Sequence, residues 1–144
     1  MFFKNNKDND DENDLVKVAA LLIHAAKIDQ DYTNSEESII KQSLIELGAK
    51  DKNLDKIIRL GKEIDESSNQ ILDFTREVKN MDDKSKFKII ETLWQIIYSN
   101  NKADIYETNL MRRLAGLLYI DSKIMGDIKE KIKKKFHNDL HSKR

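Results

Sequence analysis

Five oxygen-bearing side chains, Asp29, Asp31, Thr33, Glu36 and Glu37, crowd one short stretch of this sequence. Carboxylate and hydroxyl oxygens are hard donors, the kind that calcium and magnesium prefer. The Asp29-x-Asp31-x-Thr33 spacing matches the opening of a calcium loop. Its second half departs from that pattern, with Asn34 at the turn glycine and Ile40 where a bidentate glutamate would close the site. Asp29, Asp31, Glu36 and Glu37 are therefore the candidate ligands of a weakly bound divalent cation. The same residues have a purely structural use. Thr33 followed three positions later by Glu36 has capping-box spacing, and acids at a helix start complement its dipole.

Few other residues suggest chemistry. His24 stands in a long apolar run and reads as a packed, hydrogen-bonded histidine. His137 and His141 share an i, i+4 spacing that could chelate zinc, but the intervening residues lack the glutamate of a zinc-protease helix. The absence of Cys removes disulfides, thiolate nucleophiles and Cys-based metal centres. Neither a glycine-rich phosphate loop nor a nucleophile elbow occurs, so the chain is expected not to be an enzyme.

The positioning elements are helices. Leu15, Val18, Ala19, Leu22, Ala25 and Ala26 follow the helical period, and Leu21 and Ile23 make this segment apolar nearly all round. It is expected to be central, with Asp14 as its cap. A second helix begins near Ser35 and ends at Gly48, a left-handed C-cap position. A third runs through Leu54, Ile57, Ile58, Gly61 and Ile64, and Ser67, Ser68 and Asn69 break it. A short fourth carries Phe74 and Val78. Asp82 or Asp83 caps a fifth containing Phe87, Leu93, Trp94 and Tyr98, whose spacing reads as core packing. The sixth holds Leu110 to Leu118, and Asp121 caps a seventh with Met125, Ile128, Ile132 and Phe136 on one face. The fold class is all-α, about seven helices in a compact bundle. One domain is expected at 14–136, between a flexible acidic leader (1–13) and a flexible basic tail (137–144).

Two segments align without a gap, Asp29–Glu36 lying over Asn100–Glu107. Leu22 matches Leu93, Ile39 and Ile40 match Leu110 and Met111, and Leu47 matches Leu118. In each copy an apolar helix ends at a polar turn and a capped helix follows. Asp104 precedes Glu107 by the capping-box distance, as Thr33 precedes Glu36. An internal pseudo-two-fold duplication of a helix–loop–helix unit follows. Its second loop, with Asn100, Asp104 and Glu107, is richer in amides, so any cation is expected at the first.

Composition fits this picture. The chain has 144 residues, no Pro and only four Gly, which suits uninterrupted helices. Formal net charge is zero but unevenly placed, with acids before Leu15 and lysines after Ser122. A basic helix without interleaved aromatics does not point to nucleic acid. No apolar run is long enough to span a bilayer and no signal peptide is evident, so a cytoplasmic location is expected. Met1-Phe2-Phe3 and the basic last helix are compatible with peripheral membrane contact.

Several stretches resemble the TerB-like family, which includes tellurite-resistance proteins and the N-terminal domain of the DjlA membrane co-chaperone. They are Ala19–Asp29, Phe74-Thr75-Arg76, Leu93–Tyr98 and Glu107–Leu118, and the resemblance, to a small bacterial branch, spans about residues 15–125. The family's turn reads Ala-Asp-Gly with an aliphatic residue and a glutamate beyond. Asp29 and Glu36 keep that pattern, as does Glu107, whereas Gln30, Tyr32, Asn100, Asn101 and Ala103 depart from it. The resemblance implies a helical accessory or adaptor protein, linked to stress or tellurite resistance, that acts through a protein partner or self-association. Arg112-Arg113 matches a family position and is expected to pair with Glu107 or other acids.

Overall fold

A computed structural model describes residues 2–27, 34–67, 72–99 and 105–142, with side chains for 12–27, 34–67, 74–76, 78–98 and 109–135. Seven α-helices follow in order: α1 (Phe2–Ala26), α2 (Asn34–Glu46), α3 (Leu54–Ser67), α4 (Leu72–Lys79), α5 (Asp83–Ser99), α6 (Ile105–Leu117) and α7 (Ser122–Ser142). A single 3-10 turn, Asp51–Asn53, leads into α3. No strand occurs among the described residues.

The unbroken apolar run makes α1 the axis of the bundle. Every residue from Val18 to Ile23 is fully buried, and α2, α3, α4 and α5 all pack on this helix. Its closest neighbour is α3, and glycine permits the approach. A β-carbon on Gly61 would lie 3.0 Å from Ala19 Cβ and 3.2 Å from the backbone nitrogen of Ala20. The second centre is α5, which contacts α1, α2 and α7 and buries Ile89, Ile90, Leu93 and Ile96. Where α2 meets α5, Ser43 and Thr92 share a buried hydroxyl hydrogen bond of 2.6 Å. Thr92 also bonds the carbonyl of Lys88, one turn earlier, at 2.9 Å.

Local signals account for the end of α2 and the start of α7. Gly48 adopts φ 114°, its N–H bonds Ile45 O, and Ala49 N–H reaches back to Leu44 O at 2.9 Å. This is a Schellman closure, which satisfies the last carbonyls of α2. At the start of α7, Asp121 Oδ1 accepts from Lys123 N–H at 2.8 Å, the expected cap. One expectation fails. The helix begins at Phe2, so Asp14 lies inside α1 and does not cap it. The polar run from Lys4 to Asp14 ahead of the core contains neither Pro nor Gly and carries the helix outward. In the expected leader (1–13) the side chains of residues 1–11 lie outside the described ones, as do all those of the expected tail (137–144).

The two halves share local geometry. Asn34 and Ile105 open helices 71 positions apart, as Glu46 and Leu117 close them. Gly48 and Tyr119 stand at the same offset, both with positive φ. Ile120 N–H bonds Ala115 O at 2.9 Å, repeating the Ala49–Leu44 bond. Buried Lys86 adds a further cap, donating from Nζ to the Leu118 carbonyl at 3.2 Å.

Candidate functional site

The first candidate loop connects α1 to α2, and the structure brings an ionic cluster to its base. His24 and Lys27 are one turn apart at the end of α1, so both face α3. There Asp65, with only 7% of its side chain exposed, lies between them. The Nδ1–H of His24 donates to Oδ1 at 3.0 Å, and Lys27 Nζ lies 3.2 Å from Oδ2. Two cation-capable partners thus hold a buried carboxylate that would be costly alone. The His24 side chain is 31% exposed. The other side of His24 rests on Phe74, ring centroids 5.8 Å apart. A histidine near a helix C-terminus is also favoured by the helix dipole.

The predicted acids divide. Glu36 is fully buried in the first turn of α2. Glu37 beside it pairs with Lys62 of α3 at 3.0 Å. Its charge is therefore already balanced by a lysine. Asp29 and Asp31 lie outside the described residues, as do Asn100, Asp104 and the capping residue Thr33. Glu107 falls in the first turn of α6, but its side chain is outside the described set. Among the described residues no group of three or more His, Asp or Glu is arranged to hold a metal ion.

The remaining expectations map as follows. Phe74 and Trp94 are core residues, and Trp94 stacks on half-buried Tyr98 with centroids 5.9 Å apart. Arg112 and Arg113 are exposed on α6. His137 and His141 lie on the backbone of α7, with side chains outside the described set. No described helix is long and apolar enough to cross a membrane.

Sequence reading missed Asp65. The signal was present: Ile58, Gly61 and Asp65 fall at i, i+3 and i+7, which places a carboxylate on the buried stripe of α3. A charged residue in that register needs a partner. Its partners, however, come from a helix 41 residues away in sequence, which periodicity cannot name.

A family model described as tellurite resistance protein TerB matches residues 15–130. The chain belongs to the TerB family. Neither the curated proteins nor the solved structures give a match.

Proposed function

We propose that this TerB-family chain is a non-enzymatic accessory module that works by docking a protein partner or a second copy, with Tyr119 at the contact. The observation that carries this reading is the conformation of Tyr119. It has φ 55° and is 75% exposed, although the matching position in the first half is Gly48. A bulky residue in the left-handed region costs about 1–2 kcal/mol, which glycine avoids. Stability alone does not favour an aromatic there, and tyrosine is enriched among residues that dominate protein interfaces. Lys79 Nζ stands 4.8 Å from the ring centroid and holds the ring over the α4–α5 side of the bundle.

The test compares the intact chain with Tyr119→Gly. Immobilised on beads in native lysate, the wild-type chain should retain a specific partner or another copy of itself. Tyr119→Gly should fold with at least the original melting temperature and lose most of that retention. Equal retention by both chains, or none by either, would sink the reading. A setting in stress or tellurite resistance follows from the family's description. Deletion of the gene should then lower growth on tellurite.

A second reading rests on the buried Glu36 and its neighbour Glu37 beside residues 29–33. Here the loop takes a divalent cation weakly, and Lys62 yields Glu37 to the ion. Amide NMR during calcium, magnesium, manganese and zinc titrations tests it. Resonances of residues 29–37 that stay fixed at millimolar ion would rule it out.

A further inference from the structure

We propose that a cleft between α5, α6 and α7 binds a small carboxylate whose body is a single ring or a short branched chain. This goes beyond the docking role above and does not depend on it. The cleft has a volume of about 190 Å³ and is lined by Trp94, Met111, Ala115 and Met125, with Arg112 and Lys129 among its walls. An apolar cavity of about 150 Å³ accommodates benzene, so one ring with a short tether fills this cleft, which is open to solvent on its outer side. Methionine side chains adjust to irregular ligands more readily than branched ones.

Charge fixes the ligand's other end. Two of the lining residues are cations and none is an acid. Lys129 is held in place by the cleft itself, its Nζ 5.3 Å from the Trp94 ring centroid. Arg112 offers a planar fork that matches a carboxylate. The cleft also includes Ser122, the first residue of α7, where the positive end of a helix dipole lies.

Independently, Trp94 calls for an acceptor. The indole is 4% exposed, and its Nε1–H is buried without a hydrogen-bond partner among the described residues. Buried donors in folded proteins are nearly always satisfied. An apolar ligand would leave this one unmatched; in the proposal the ligand's carboxylate accepts from it once the side chains closing over the indole nitrogen part to admit the oxygen. Ring-sized apolar volume, a cationic rim and an orphaned donor describe one ligand class.

Trp94 is the sole tryptophan of the chain, so its fluorescence reports the cleft directly. The probe is 4-phenylbutyrate, with 4-phenylbutanol as the neutral counterpart. The acid should change the emission saturably, and the alcohol should bind about tenfold more weakly for want of a charged hydrogen bond. In the native chain with labelled methionine methyls, Met111 and Met125 should shift and Met81 should not. Gly126→Leu, which fills the cleft from α7, should abolish the effect, and Lys129→Gln should weaken it several-fold. Equal affinity for acid and alcohol overturns the anionic part. Stationary Met111 and Met125 methyls overturn the site, whether or not Gly126→Leu folds.

Discussion

Replacing Gly61 by alanine separates two effects that usually act together. In a helix interior alanine is favoured over glycine by about 0.5–1 kcal/mol, because glycine loses more chain entropy on folding. That gain should appear at Gly126 of α7, where an added β-carbon meets nothing within 4 Å. At Gly61 the same methyl enters the α1–α3 contact, 3.0 Å from Ala19 Cβ and 3.2 Å from Ala20 N. One of those atoms belongs to the backbone of the central helix, so neither helix can yield by turning a side chain. Overpacking of this kind costs about 1–3 kcal/mol. Gly61→Ala should therefore lose about 0.5–2 kcal/mol net, while Gly126→Ala gains about 0.5–1 kcal/mol. At this chain length 1 kcal/mol moves the melting temperature by about 3–4 °C. Thermal unfolding of both variants should place them roughly 3–12 °C apart, with opposite signs relative to the native chain, and urea unfolding should rank them the same way. If the two variants shift in the same direction by the same amount, the close approach of α1 and α3 is wrong.

Three further outcomes follow from the ionisable groups. Asp65→Ala removes the acceptor shared by His24 and Lys27 and should cost about 1–3 kcal/mol in urea unfolding, since both partners can turn partly to water. Lys88 holds the Glu46 carboxyl below its ordinary value of 4.5, chiefly by a side-chain hydrogen bond. A depressed carboxyl contributes stability above its unfolded value and loses it as pH falls through the folded one. Glu46→Gln should therefore cost a few tenths of a kcal/mol at neutral pH, as expected for a part-exposed pair, and nothing in strong acid. Burial, aided by the charge of Glu130, pushes the Tyr98 hydroxyl above its ordinary value of 10.0. Its contribution to stability is complete below that value and is lost as pH rises through the folded one. Ultraviolet titration should show Tyr98 ionising above its ordinary value, and Glu130→Gln should lower its midpoint.

The cluster at the end of α1 ties this long helix ionically to α3. The first turn of α2 buries Glu36 and sends Glu37 to Lys62. Asp65 meanwhile ties α3 to both His24 and Lys27. The Glu37–Lys62 pair joins α2 to α3, and Asp65 joins α3 to the end of α1, so these ion pairs link elements that the core already packs together. In the second half the corresponding C-cap carries Tyr119 and the neighbouring carbonyl accepts from Lys86. The ends of α2 and α6 thus share their C-cap backbone bonds and differ in the side chains placed there.

Sequence by itself determined the helices, because an amphipathic or wholly apolar period is written in residues only one turn apart. It determined the centrality of α1, since Val18 to Ile23 leave no polar face. It also determined the C-cap at Gly48, the N-cap at Asp121 and the offset that α2 shares with α6. These features depend on neighbours in the chain. The start of α1 escaped it, because Asp14 has the chemistry of a cap and the polar residues before it have equal freedom to remain helical. The partners of Asp65, the contact of Gly61 with Ala19 and the cleft beside Trp94 belong to the tertiary structure alone. Each joins side chains from different helices, and those meetings are fixed by how the bundle packs its volume. No short-range pattern encodes that.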